Sequence, residues 1–297
     1  MKICCCWLYA ISKYGYPPSI KDTFKVIREM ANLGFKFIEL EGVGEKNLMD
    51  VYRNRKELKK ICNDLGIKVI NFCPILPDSI NIDKEKRKKA KELFKIGLDI
   101  ANFFESKTVQ IDTFTPPLKF IGETPYKEAI KFGKQFKVKV DPEFSWDKQW
   151  EIIVETVNEY AELAKKRNLG LLIEPRVGEN ISNTDALLRL MEHCKNENIG
   201  AVLDTGHLNA QKEILVLSIE KLKDKIKYLH VSDNDGKTNA HLPLGKGTID
   251  WEGVFLALKK HKFDGYVGVD IGHVPNLDKA YRDAIKFLNN ISKNLKI

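Results

Sequence analysis

Four short apolar runs end in side chains that can do chemistry: Glu174 after Leu171-Leu172-Ile173, Asp204 after Ala201-Val202-Leu203, His230 after Tyr228-Leu229, and Asp270 after Val267-Gly268-Val269. Earlier runs end similarly at Glu39 and Asp112. A charge at the end of an apolar run is expensive to bury unless something compensates it. Three carboxylates and a neutral imidazole packed together would repel or be stripped of solvent, and a divalent cation removes that cost. Such a set of oxygen and nitrogen donors suits Mn²⁺, Mg²⁺, Co²⁺ or Zn²⁺ and argues against copper or iron–sulfur chemistry. One divalent metal ion, held by Glu174, Asp204, His230 and Asp270, is therefore the expected cofactor. Asp112, taken alone, reads as a helix cap or loop anchor.

These residues need elements that bring them to one place. Strand-like runs fall at 2–7, 36–40, 68–73, 107–112, 170–174, 199–204, 226–231 and 266–270. Segments of helical period lie between them, near 19–33, 48–65, 84–104, 147–168, 183–195, 211–224, 250–262 and 276–294. Apolar runs alternating with longer amphipathic segments predict parallel strands covered by helices. Gly34, Gly66 and Gly170 stand where left-handed caps would end helices before strands. Eight such units predict an α/β protein, a single-domain (β/α)8 TIM barrel over residues 1–297. A doubly wound sheet is the alternative, but its Gly-x-Gly-x-x-Gly loop after the first strand is missing. In a barrel the carboxyl ends of the strands converge on one site, which is where the acids and the imidazole fall. Residues 113–146 form a long insertion after strand 4, read as a lid or rim over the barrel mouth or as a partly helical decoration.

Composition narrows the class. The chain has 297 residues, 43% hydrophobic and 30% charged, enough for a folded core and unlike a disordered or low-complexity polymer. No run of about 18 uncharged apolar residues occurs, so no membrane segment is expected, and a cytoplasmic location is. The net charge of +8 comes from lysines interleaved with acids, as in 53–60 and 84–95. That pattern reads as a solvated mixed-charge surface. Six cysteines include no Cys-x-x-Cys pair, and Cys4-Cys5-Cys6 reads as small buried hydrophobes of a first strand.

The runs Leu-Asp-Thr-Gly-His (203–207), His-Val-Ser-Asp-Asn-Asp-Gly (230–236) and His-Leu-Pro-Leu-Gly-Lys-Gly-Thr-Ile-Asp-Trp (241–251) resemble the xylose-isomerase-like barrel superfamily. Within it they are closest to its sugar phosphate isomerase/epimerase branch, whose fold relatives include endonuclease IV. The resemblance implies that Glu174, Asp204 and His230 bind the metal and that Asp270 takes the fourth ligand position, where the family usually has Glu. It further implies that His207 contacts substrate or a second metal, and that His241 binds substrate or an additional metal. Glu39, after a strand pattern typical of the family, would orient His230, bind a hydroxyl or be a buried salt-bridged carboxylate. Glu174 and Asp270 would be the catalytic pair, passing a proton on and off the carbon next to a carbonyl while the metal stabilises the enediolate.

Trp7 and Phe72 end strands one and three and are candidates for the apolar wall on which a sugar stacks, or for core packing. Arg176 and Lys246 are candidates for a substrate phosphate or carboxylate, or for loop ion pairs. The function expected is a divalent-metal-dependent isomerase or epimerase of a sugar, sugar phosphate or related keto-polyol. A keto-polyol dehydratase begins with the same proton abstraction. An abasic-site nuclease would need histidines at the ends of strands three and four, and none precedes residue 193. A non-catalytic metal- or ligand-binding barrel is the remaining alternative. The expected partner is a small carbohydrate, not nucleic acid or membrane, and the oligomeric state is not legible.

Overall fold

The computed structural model describes residues 1–125 and 136–296. Eight parallel strands close into a barrel: β1 (Lys2–Cys5), β2 (Phe37–Val43), β3 (Lys68–Ile75), β4 (Thr108–Ile111), β7 (Gly170–Ile173), β8 (Ile199–Asp204), β9 (Ile226–Val231) and β10 (Tyr266–Val269). Each pairs with its neighbours in sequence, and β10 returns to β1 through Lys2 to Tyr266 and Cys5 to Val269. The expected fold class and its eight strands are those observed.

The outer ring is α2 (Ile20–Asn32), α3 (Gly44–Asp64), α4 (Lys84–Phe103), α5 (Trp146–Lys165), α6 (Thr184–His193), α8 (Leu215–Leu222), α9 (Trp251–Lys260) and α10 (Leu277–Leu295). Side-chain caps start several of them. Ser19, Asp83, Ser145, Asn183 and Asp250 each accept a backbone N–H from two or three residues on, satisfying groups a helix start leaves open. The sequence did not foretell two short helices, α1 (Leu8–Tyr14) and α7 (Thr205–Ala210). The segment expected as one helix over 211–224 is instead α8, shortened, and α7 occupies the chain directly after β8.

The insertion after β4 carries a two-stranded antiparallel ladder, β5 (Lys119–Phe120) with β6 (Val138–Lys139). Residues 126–135 of the expected lid lie outside the described residues.

Alternation along each strand sorts the side chains, except at Ile70 of β3, where a bulge breaks the register with β2 and resets the alternation. Outward-facing Ile38, Leu40, Phe72, Leu171, Ile173, Leu203, Leu229 and Val267 pack under the helices in the main core. Inward-facing Cys4, Cys6, Ile70, Leu172, Val202 and Tyr228 fill the lower barrel. Each large apolar side chain so buried stabilises the fold by about 1.5–3 kcal/mol. The three consecutive cysteines are buried thiols, as expected. Gly268 is needed in this layer because a Cβ there would sit 2.4 Å from the Cys6 sulfur. One step higher on the same strands the inner face turns polar: Glu39, Asn71, Gln110, Glu174, Asp204, His230 and Asp270.

Candidate functional site

The polar layer opens into a cleft at the carboxyl ends of the strands. His230, from β9, is the hinge of its geometry. Its Nε2 lies 3.3 Å from Glu39 Oε2, and its Nδ1 lies 2.8 Å from Glu174 Oε1 and 3.9 Å from Asp204 Oδ2. A proton on Nε2 shared with Glu39 leaves the Nδ1 lone pair facing the other two acids, the arrangement by which an outer carboxylate fixes the tautomer of a metal-binding histidine. Glu174 Oε1 and Asp204 Oδ2 are buried without a hydrogen-bond partner among the described residues. Their companion oxygens are engaged. Gln110 Nε2 donates to Glu174 Oε2 at 3.1 Å, and the backbone N–H of His207 donates to Asp204 Oδ1 at 2.7 Å, capping α7. Buried polar atoms are seldom left unsatisfied. Two orphan oxygens and one imidazole nitrogen, mutually within reach of a single ion, fit a divalent cation.

Asp270 sits apart from that triad. Its carboxylate is held by His241, whose Nδ1 is 3.0 Å from Oδ2 and 3.0 Å from the Asp270 carbonyl oxygen. With Asp204 it forms a second triad, Asp204–His241–Asp270. The four ligands expected from the sequence thus fall into two groups that share Asp204, and the shorter Asp270 side chain is anchored on its own side of the cleft.

Protonation follows from these contacts. Burial alone would raise Glu174, but His230 and then Arg176 outweigh it and hold its carboxyl below the ordinary value. Burial likewise works against an ionised Asp270, and the His241 bond and charge bring it below the usual range. Burial and the nearby Glu174 push Asp204 up to about 7. Burial disfavours a charge on His241, yet Asp270 raises its pKa to about 9. His230 is raised despite burial by Cys6, Glu174 and Glu39. The acids around it demand positive charge, which either a proton or a divalent ion supplies. His207 is lowered by burial and by Arg176, whose Nε is 3.4 Å from the ring.

A model of the xylose isomerase-like TIM barrel matches residues 27–291. The chain belongs to this family. Among curated proteins, it is similar to the inosose dehydratase of Geobacillus thermodenitrificans, 23% identical over 277 residues, covering 88% of this chain and 85% of that one. The inosose dehydratase of Clostridium tetani is 24% identical over 295 residues, covering 93% and 91%. Among solved structures, a D-tagatose 3-epimerase-like protein superposes with a TM-score of 0.73 at 18% identity over 99% of this chain and 100% of the other. The IolI protein with a bound zinc atom gives 0.74 at 16% identity, covering 99% of each. The probable 3-DHS dehydratase AsbF of Bacillus anthracis gives 0.70 at 18% identity, covering 98% and 99%. At these identities the structural likeness speaks for the shared fold.

Within the family fold, the remaining candidates divide. His207 and His241 meet at the cleft, their ring centroids 5.4 Å apart and bridged by the Asn239 amide. Arg176 lines the cleft, but Asp112 holds it at 2.5 Å, with Glu174 and Glu179 at 3.7 and 3.8 Å. Asp112, read as a helix cap or loop anchor, is buried in the cleft wall and anchors the loop after β7 as the main partner of Arg176. Lys246 is exposed and away from the cleft lining. Trp7 and Phe72 do not form an apolar wall. Phe72 faces outward into the core against Gly42 and Gly97, and Trp7 is buried, with its backbone N–H on Glu39 Oε1 at 3.2 Å. Leu8, Ile11, Cys73 and Ile75 are the apolar lining instead.

Several residues escaped the reading of strand ends because they sit within a strand or after it: Glu41 and Gln110 in the cleft lining, and Asn71, Glu179 and Asn239, which contact lining residues from behind. Glu41 had a signal, standing two residues beyond Glu39 and so on the same face of its strand. Glu179 receives the N–H groups of Thr113 and Phe114 on one oxygen, both at 2.9 Å, which ties the start of the insertion to the loop after β7. A wider groove between α4 and α5 lies on the outer surface, with its Lys91 paired to Glu159 at 2.7 Å.

Proposed function

We propose that this protein is a divalent-metal-dependent enzyme that removes the proton next to the carbonyl of an uncharged keto-polyol, with loss of water as the outcome. One observation carries the reading: the orphan oxygens of Glu174 and Asp204 converge on Nδ1 of His230, while the Asp270 carboxylate faces the same cleft. Glu174, Asp204 and His230 would hold the ion. When bound, it would polarise the substrate carbonyl and draw the adjacent C–H toward acidity.

The side chains supply the rest. Glu174 and Asp270 are both held in their ionised forms, so either can accept a proton from a carbon placed between them. His241 keeps Asp270 in place as its charge changes. Glu39, bonded to Asn71 at 3.1 Å, keeps the ring of His230 turned toward the triad. Leu8, Ile11 and Ile75 present the apolar surface suited to the carbon face of a polyol. The cleft wall carries Glu39, Glu41, Asp112, Glu174 and Asp270 against the single guanidinium of Arg176, itself spoken for by Asp112. Arg176, held by Asp112, acts as a structural counter-charge and not as a phosphate clamp, which disfavours a phosphorylated sugar.

The name shared by the similar curated proteins, inosose dehydratase, supports a keto-polyol and the loss of water. Epimerisation is the second reading, favoured by carboxylates that reach the cleft from different strands. The test is incubation of the Mn²⁺-loaded protein with ketoses and inososes in D₂O, followed by NMR. Deuterium should enter at the carbon beside the carbonyl, and a dehydrated or an epimerised product tells the two readings apart. A fully metal-loaded protein that leaves every C–H of such a panel unexchanged would sink the proposal.

A further inference from the structure

Glu41 has no part in the steps above. Strand alternation on β2 puts it on the same inner face as Glu39, and its Cα pairs with that of Cys73 on β3. Its side chain lines the cleft together with Glu174 and Asp270. Its Oε2 is shut off from solvent and has no hydrogen-bond partner among the described residues. A shielded carboxylate oxygen without a donor is costly, and a carboxyl in that position keeps its proton. The surroundings act the same way: burial first, then the charges of Glu39 and Asp112, raise its pKa well above the ordinary carboxyl value, with Arg176 opposing them. The cleft therefore holds two kinds of acid. Glu174 and Asp270 have histidine partners and are ionised, whereas Glu41 has none among the described residues, is held toward its protonated form, and borders the same space as a half-buried side chain. Environments that push carboxyls apart in this way divide the roles of base and acid.

Resting on the function proposed above, we propose that Glu41 is the general acid that protonates the departing hydroxyl, which makes elimination of water the reaction of this site. The step balances. Glu174 or Asp270 takes the proton from the carbon beside the carbonyl, and the C–H electron pair becomes the enediolate. As the carbonyl re-forms, a C=C bond develops toward the next carbon, and its C–O bond breaks with the pair going to oxygen. That oxygen takes the Glu41 proton and leaves as water. Glu41 is left as a carboxylate and the base as an acid, and proton transfer through solvent restores both without any oxidant or reductant.

The experiment compares wild type with Glu41→Gln, each full-length and Mn²⁺-loaded, on an inosose in D₂O. Water loss and deuterium entry are followed separately by NMR. A general acid contributes about 10²–10⁴-fold, so elimination should fall by at least about 100-fold while exchange declines by less than about fivefold. An inosose analogue with fluorine in place of the leaving hydroxyl needs far less help from an acid. Its elimination by Glu41→Gln should stay within about tenfold of wild type, a rescue that a merely structural role would not produce. If Glu41→Gln does not fold, Glu41→Asp carries the same comparison, slowing hydroxyl loss more than fluoride loss. Unchanged water loss, a parallel fall in exchange and elimination, or no rescue by fluoride would each overturn the role of Glu41. Wild-type exchange without elimination would overturn it too while leaving the metal-dependent deprotonation intact. No exchange by wild type would instead remove the underlying function.

Discussion

His241 binds its partner through both the side chain and the backbone of Asp270, and that double contact has a measurable consequence in the metal-free protein. Its pKa is about 9 in the fold against an ordinary 6.5. A raised folded-state value contributes stability that is complete below about pH 6.5 and is lost as pH rises through 9. The shift corresponds to roughly 3 kcal/mol at most, given its coupling to Asp270. Asp204 and Glu179, raised to about 7 and about 8, also lose stability with rising pH, so the informative quantity is a difference. The gap in unfolding free energy between wild type and His241→Asn should shrink between pH 6.5 and 9.5; a constant gap would show that the histidine is neutral throughout. At the metal triad, Glu174→Gln removes one charged donor and one base. Deuterium exchange should drop by at least about 100-fold, with weaker Mn²⁺ binding in calorimetry. Glu174 and Glu41 differ in how plainly the sequence announced them. Glu174 ends an apolar run and could be picked out at once, as could Asp204, His230 and Asp270. Glu41 lies mid-strand beside a glycine, and its importance comes from which oxygens surround it, which no local pattern encodes.

Across the elements, the inner faces of four strands are laced together below the metal triad. Glu39 on β2 accepts from Asn71 on β3 at 3.1 Å, Asn71 donates to Gln110 Oε1 on β4 at 3.0 Å, and Gln110 donates to Glu174, just past β7, at 3.1 Å. Thr108 fixes the amide of Asn71 from the other side by donating to its Oδ1 at 2.8 Å. The belt holds Glu39 and Glu174 at the two ends of the His230 ring. Replacing Gln110 by Leu leaves Asn71 and Glu174 short of a partner, which should cost about 1–3 kcal/mol in denaturant unfolding. Loss of this outer support should also weaken metal binding about 10–100-fold. Unaltered affinity would mean that Glu174 is positioned by the backbone alone. Strand and helix order were legible because apolar runs of period two alternate with amphipathic segments of period 3.6. The short helices α1 and α7 were not. Each is too brief to show a helical period, and α7 exists because Asp204, while turned toward the triad, also caps the N–H of His207.

At the scale of the molecule, an ion that binds the folded barrel and not the open chain must stabilise it. At 100 times its dissociation constant the gain is about 2.7 kcal/mol. For a domain of this size that raises the melting temperature by roughly 4 °C. Mn²⁺ or Zn²⁺ should produce such a shift in wild type, EDTA should reverse it, and Asp204→Ala with His230→Ala should abolish it; equal shifts in both proteins would place the ion elsewhere. The long connection after β4 belongs to the same scale, tied at its base through Glu179 to the loop after β7. The sequence by itself determined the eight-stranded parallel barrel and the polar residues at its strand ends, because periodicity and the cost of burying charge are local properties that a single chain displays. It did not determine how those residues pair. Only closure of the barrel sets Asp204 between two triads, turns Phe72 away from the cleft, gives Arg176 to Asp112, and leaves one oxygen of Glu41 without a donor. Those outcomes depend on distances between strands far apart in sequence, which no local pattern displays.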